Sequence, residues 1–205
     1  MIEWLRGNAD AAGGYGRLAI DVCTAQRVPN YLAVGHIFAG HAAASTGAFE
    51  QGMTELQEGL TRYRELGAER LLAAYLLPLA ELCLTPGHCE AGIAAVHEAA
   101  ALVERTGEVR WAPEIKRLKG ELLLVKSAQH RAEADALFRD AREVAATQGS
   151  KSFELRAATS LAASLHDAGD LDRARKTLAP IYEQFTEGFD TRDLRRANAL
   201  LRELS

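Results

Sequence analysis

Small residues recur along this chain at a nearly constant interval, and that interval limits the possible folds more than any other feature. Gly7, Gly47, Gly87, Gln129 and Gly169 stand 40, 40, 42 and 40 residues apart. Five residues later a second row, Ala12, Gly52, Gly92, Ala134 and Ala174, repeats the same steps. A third row is Gly40, Ala80, Gly120 and Ala162, and a fourth is Gly67, Gly107, Gly149 and Gly188. Rows that share one period mark an internal repeat. Four residues beyond each small residue of the second row, from the second unit on, comes a larger apolar one: Leu56, Val96, Phe138 and Leu178. Spacings of four and seven put Gly52, Leu56 and Gly59 on one helix face, and Ala174, Leu178 and Ile181 on another. Each period therefore predicts a helical hairpin. Its small residues let two backbones approach, and its last glycine takes the left-handed conformation that ends a helix.

Composition supports an all-α chain. Alanine and leucine dominate over Val, Ile and Thr, and they lose little side-chain freedom in a helix. A formal net charge of −4 without a long run of either sign argues against nucleic acid, which needs a concentrated basic surface. Arg192, Arg195, Arg196 and Arg202, mixed with Asp193 and Glu203, read as a solvated helix face. No apolar stretch has the length of a membrane span, and no basic region leads into an apolar core at the start. Three cysteines, Cys23, Cys83 and Cys89, are too few for a disulfide scaffold. The expected setting is cytoplasmic, with no membrane partner.

Taken in order, residues 1–28 read as a partial repeat whose first helix is missing. Its second helix runs from Asp10 to Arg27, weakened by Gly13, Gly14 and Gly16, and its start is expected to be frayed or covered by another chain. Repeats follow at 29–67, 68–107, 108–149 and 150–188, with a capping helix at 190–204. Their helices are expected at Tyr31–Thr46 and Ala48–Leu66, Glu69–Leu84 and Cys89–Thr106, Ala112–Lys126 and Arg131–Gln148, and Ser152–Ala168 and Leu171–Thr186. Pro78 should kink its helix. Asp190 reads as the N-cap of the last helix, with Asp193 in its first turn and Leu194, Ala197, Leu200, Leu201 and Leu204 as one apolar stripe.

Small residues in these places resemble the tetratricopeptide repeat, with helices longer than its usual ~34-residue period allows. The resemblance implies a right-handed α-solenoid of about four hairpins plus the capping helix, forming a single domain over 1–205. The final unit carries the most specific likeness: Glu154-Leu-Arg-Ala-Ala-Thr-Ser-Leu-Ala162, Ala174-Arg175, Leu178-Ala-Pro-Ile-Tyr182 and Phe185-Thr-Glu-Gly-Phe-Asp-Thr191. It is similar to the C-terminal tetratricopeptide-like region of large bacterial signalling proteins. Those proteins begin with a class III adenylate/guanylate cyclase or a winged-helix domain, followed by a STAND-type ATPase. Ile115-Lys-Arg-Leu-Lys-Gly-Glu-Leu-Leu-Leu124 and Tyr31-Leu-Ala-Val-Gly35 extend the likeness upstream. No cyclase or ATPase motif is present, so the likeness implies a sensing or scaffolding role and neither activity.

Enzyme motifs are weak here. Gly149-Ser-Lys-Ser152 lacks the upstream glycine and strand of a phosphate loop, and Gly14-Tyr-Gly-Arg-Leu-Ala19 lacks the strand of a dinucleotide fingerprint. Cys83, His88 and Cys89 could hint at a soft metal, yet both cysteines fall where repeat helices pack. The expectation is a non-enzymatic interaction module without cofactor or metal. The resemblance places His41, Glu81, Glu114, Arg117, Glu121, Arg156, Thr159 and His166 on first helices lining a concave groove. They read either as the groups that select a protein or peptide partner, with Arg117 and Arg156 as donors, or as ordinary solvated residues. A small-ligand or peptide sensor is the alternative function. The open N-terminal end also offers a homodimer contact.

Overall fold

The computed structural model describes residues 1–69 and 71–204. Among them are eleven α-helices and no strand. The helices are α1 (Ile2–Leu5), α2 (Ala9–Gln26), α3 (Pro29–Ser45), α4 (Phe49–Glu65), α5 (Leu72–Leu82), α6 (Cys89–Thr106), α7 (Ala112–Lys126), α8 (Arg131–Thr147), α9 (Lys151–Asp167), α10 (Leu171–Tyr182) and α11 (Arg192–Glu203). Short 3-10 turns lie at Val109–Trp111 and Ala128–His130. The chain forms two compact units, Met1–Val109 and Arg110–Ser205. In each, helices pack on their sequence neighbours: α3 with α4 and α5 with α6 in the first, α7 with α8 and α9 with α10 in the second.

The two glycine rows mark where hairpins turn and end. Gly7, Gly47, Gly87 and Gly169, and Gly67, Gly107, Gly149 and Gly188, all have positive φ. Gly107 shows why: at φ 72° its N–H reaches back to the Val103 carbonyl at 2.9 Å and closes α6, a conformation that strains any residue with a Cβ.

The other small residues serve close packing. A Cβ on Gly40 would stand 2.5 Å from the Leu56 backbone nitrogen and 2.6 Å from the Gly52 carbonyl oxygen. One on Gly52 would collide with the backbone of Ala44 and Gly40. On the opposite side of α3, a Cβ on Gly16 would meet the Ala39 nitrogen at 2.8 Å and the Gly35 oxygen at 2.9 Å. Helix α3 thus lies between α2 and α4 in backbone contact with both. This explains why it buries Ala33, Ile37, Phe38, Ala39, Ala42 and Ala44 and has almost no polar side.

The start of the chain corrects the expectation of a frayed end. Helix α1 is one turn, but Trp4 is buried against Phe38 and His41, with ring centroids 6.4 and 6.3 Å away. Its indole N–H donates to Glu81 Oε2 at 2.7 Å. Asn8 caps α2, accepting from the Ala11 N–H at 3.1 Å. Gly16 has a packing role in α2: its missing side chain makes the approach to α3 possible.

Several boundaries also shift, three of them through identifiable backbone events. Helix α5 begins at Leu72, after Leu71 takes a left-handed φ of 66°, and continues through Pro78 to Leu82. Helix α10 stops at Tyr182, where the amides of Gln184 and Phe185 turn to carbonyls three residues back, Ile181 and Tyr182. The N-cap of α11 is Thr191 rather than Asp190, and the Thr191 hydroxyl donates to the Gly188 carbonyl at 2.7 Å. Of the expected stripe, Leu194, Ala197, Leu200 and Leu204 are buried in the second unit's core with Phe138, Leu161, Leu165 and Leu178, and Leu201 is partly buried against it.

Two glycines test this packing in opposite directions. Gly52→Ala should lower stability by about 1–3 kcal/mol, because the new methyl has only backbone to push against. Gly14, where an added Cβ meets nothing within 4 Å, should gain roughly 0.5–1 kcal/mol as Ala. Urea unfolding of both variants in dilute solution decides between these signs.

Candidate functional site

Four of the sequence-derived site residues meet in the second unit. Glu114, Arg117 and Glu121 occupy one stripe of α7 at spacings of three and four, and Arg156 faces them from α9. Glu114, Arg117 and Arg156 are 1%, 5% and 7% exposed, so they lie inside the packing and do not line an open groove. Arg117 forks onto Glu114 with bonds of 2.9 and 2.7 Å, and its third nitrogen donates to Glu121 Oε1 at 2.6 Å. Arg156 bridges α7 and α11, donating to Glu114 Oε1 at 2.9 Å and to Asp193 Oδ2 at 2.6 Å. The Ser160 hydroxyl donates to Glu121 Oε1 at 2.6 Å. Arg196 completes the edge at 3.6 Å from the same oxygen, with its own side chain more than half exposed.

Three carboxylates thus alternate with the guanidiniums of Arg117, Arg156 and Arg196 across α7, α9 and α11, and Arg192 adds a 3.5 Å contact to Asp193 Oδ1. Buried charge is tolerated only when paired and hydrogen-bonded, and this alternation supplies the pairing. For Glu121, burial by itself would raise the pKa, but Arg117, Arg196 and the Ser160 hydroxyl outweigh burial and the neighbouring Glu114. Its carboxyl is held below the ordinary 4.5. For Arg156, burial and Arg117 oppose the charge, and Glu114 with Asp193 prevail, raising its pKa. A carboxylate held ionised and bonded to guanidinium is a poor proton acceptor. The geometry suits fixing helices and presenting charge more than moving a proton.

The remaining candidates separate. Thr159 is buried and donates to the Leu155 carbonyl of its own helix at 2.7 Å. His166 sits half-buried at the end of α9, 3.5 Å from Asp167 Oδ1. In the first unit, His41 and Glu81 come together beneath Trp4: His41 Nε2 lies 3.7 Å from Glu81 Oε2, the acceptor of the Trp4 indole. His41 Nδ1 is buried without a hydrogen-bond partner among the described residues. Cys83 is also buried, and burial together with Cys89 pushes its thiol up to about 11, which makes it unreactive near neutrality.

Ser160, Asp193 and Arg196 belong to the network but were not among the candidates. For Ser160 the sequence carries a signal: Arg156, Ser160 and Ser164 recur every fourth residue along one face of α9. Ser164 makes a second polar tie, donating to Asp135 Oδ1 at 2.6 Å and accepting from Arg131 at 3.3 Å. The sequence reads Asp193 as helix-end electrostatics and Arg196 as part of a solvated face, because no spacing rule links α11 to α7.

No known family model matches this chain. Over 125 residues, 61% of its length, it is 33% identical to an uncharacterised protein of Rhizobium meliloti (strain 1021). The match spans only 12% of that relative.

Removing one partner from the network should be costly. Arg156→Ala leaves Glu114 and Asp193 short of a cation and should lower stability by about 3–5 kcal/mol, measured by denaturant unfolding. Because its folded-state pKa is depressed, Glu121 contributes stability above pH 4.5 that is lost as pH falls below it toward the folded value. The stability gap between wild type and Glu121→Gln should therefore be widest near neutrality and close below pH 4.5. A gap independent of pH would contradict the assignment.

Proposed function

We propose that this chain is a non-enzymatic, tetratricopeptide-like interaction module of the right-handed repeat type, serving a signalling protein. The 40-residue lattice, the positive-φ glycines at its turns and the glycine-mediated helix contacts support the repeat assignment. The relative's much greater length is compatible with a module built into a longer polypeptide.

The observation that carries the partner assignment is the Glu121–Arg196 edge. Arg117 and Arg156 already donate to internal carboxylates, so their part is to hold Glu114, Glu121 and Asp193 in place. Arg196 makes a longer contact from an exposed side chain and is the exchangeable member. A polar peptide segment with a basic residue would replace Arg196 on Glu121, and an acidic neighbour in that peptide would take up the released guanidinium. One intramolecular pair is then exchanged for two intermolecular ones, with bidentate geometry available at Arg196.

Selection from a displayed random-peptide library tests this. Wild type should enrich peptides in which basic and acidic residues lie close together. Glu121→Gln should lose the basic preference, and Arg196→Ala should lose the acidic one while keeping the basic. Identical enrichment by all three folded proteins, or none by wild type, would refute the assignment.

A further inference from the structure

Helix α2 carries an apolar stripe on its outer face. Tyr15, Leu18 and Val22 are 66%, 57% and 51% exposed, and Ala11 and Ala25 continue the spacing of four, three, four and three. That is a heptad seam over four turns, the pattern by which one helix receives another helix. The inner face of α2, with Ala12, Gly16 and Cys23 buried, is already used against α3. The repeat lattice shows how unusual Leu18 is on this face. One, two and three periods beyond Leu18 stand Glu58, Glu98 and Asp140, and none of these carboxylates is buried. A surface position that is acidic in three successive units is leucine only here.

We infer that α2 pairs antiparallel with α2 of a second copy of this chain. The seam is self-complementary in one register. Tyr15 of each copy lies against Leu18 of the other, and Ala11 lies against Val22, so a small residue meets a branched one. In that register Asp21 faces Gly14 of the partner rather than the partner's Asp21, so like charges stay apart. Gly14 has open space around its missing Cβ, which leaves room for the aspartate beside it. Eighteen residues make a helix about 27 Å long at 1.5 Å per residue. One such face buries less than the ~800 Å² per partner of a standard interface, so the pair is a weak, concentration-dependent dimer.

Sedimentation equilibrium of the full chain decides the matter, with three proteins. Wild type should pass from monomer to dimer as its concentration rises toward about 1 mM, the weak end of specific affinity. Leu18→Glu, which introduces the acidic residue of the next three units, should stay monomeric while keeping its helical circular dichroism. Tyr15→Lys should also be monomeric alone, and an equimolar mixture of the two variants should regain the dimer, because lysine then faces glutamate across one layer. A wild type that remains monomeric to about 1 mM overturns the inference and leaves the face to a helix of another protein. So does a Leu18→Glu protein that still dimerises, or a mixture that does not.

Discussion

Backbone-to-backbone contact between helices is the constraint on which the first unit depends. Where α3 meets α4, Gly40 and Gly52 leave no room for a methyl group, and where α3 meets α2 the same holds at Gly16. Contacts this close let the short side chains of α3 fill the space around it, so a helix rich in alanine and glycine becomes a core element. The second unit solves the same problem with one bulky group: a Cβ on Gly120 would stand 2.5 Å from Cε1 of the Phe138 ring. A common lattice position is thus met by two kinds of packing, glycine against backbone and glycine against an aromatic ring.

The charged cluster of the second unit adds a different kind of order. Apolar burial is non-directional and would tolerate some sliding of α11 over α9. Arg156, bonded at once to Glu114 and Asp193, relates three helices by directed bonds, and Glu121 gathers Arg117, Ser160 and Arg196 on one oxygen. Buried ion pairs contribute little net stability compared with apolar residues of similar size, and their better-attested role is in specifying register. In this chain they select how the last helix sits, while Leu194, Ala197 and Leu200 supply the apolar burial.

Several elements were legible from residue order alone. Helix α7 occupies the expected Ala112–Lys126, because Pro113 is tolerated in a first helical turn and the extra residues before Arg131 break the pattern. The stripe of α11 was equally clear from spacing. Less legible were ends governed by backbone events, such as the left-handed Leu71 and the tightening after Tyr182. Trp4 shows the limit well: its partners Phe38, His41 and Glu81 lie tens of residues away, and nothing local distinguishes an anchored tryptophan from a frayed one.

The sequence by itself determined the repeat, the helical class and most of the hairpins, because period and glycine placement act over a few residues at a time. It also placed Glu114, Arg117, Glu121 and Arg156 on helical stripes, four of the charged residues that meet in the second unit, but gave no sign of Asp193 and Arg196. Only the tertiary structure decided what those charges face. Helix periodicity sets the side of a helix from which a residue projects, whereas the partner it meets depends on how separate helices pack. That packing turned expected groove donors into an internal ion network and left the open edge at Arg196.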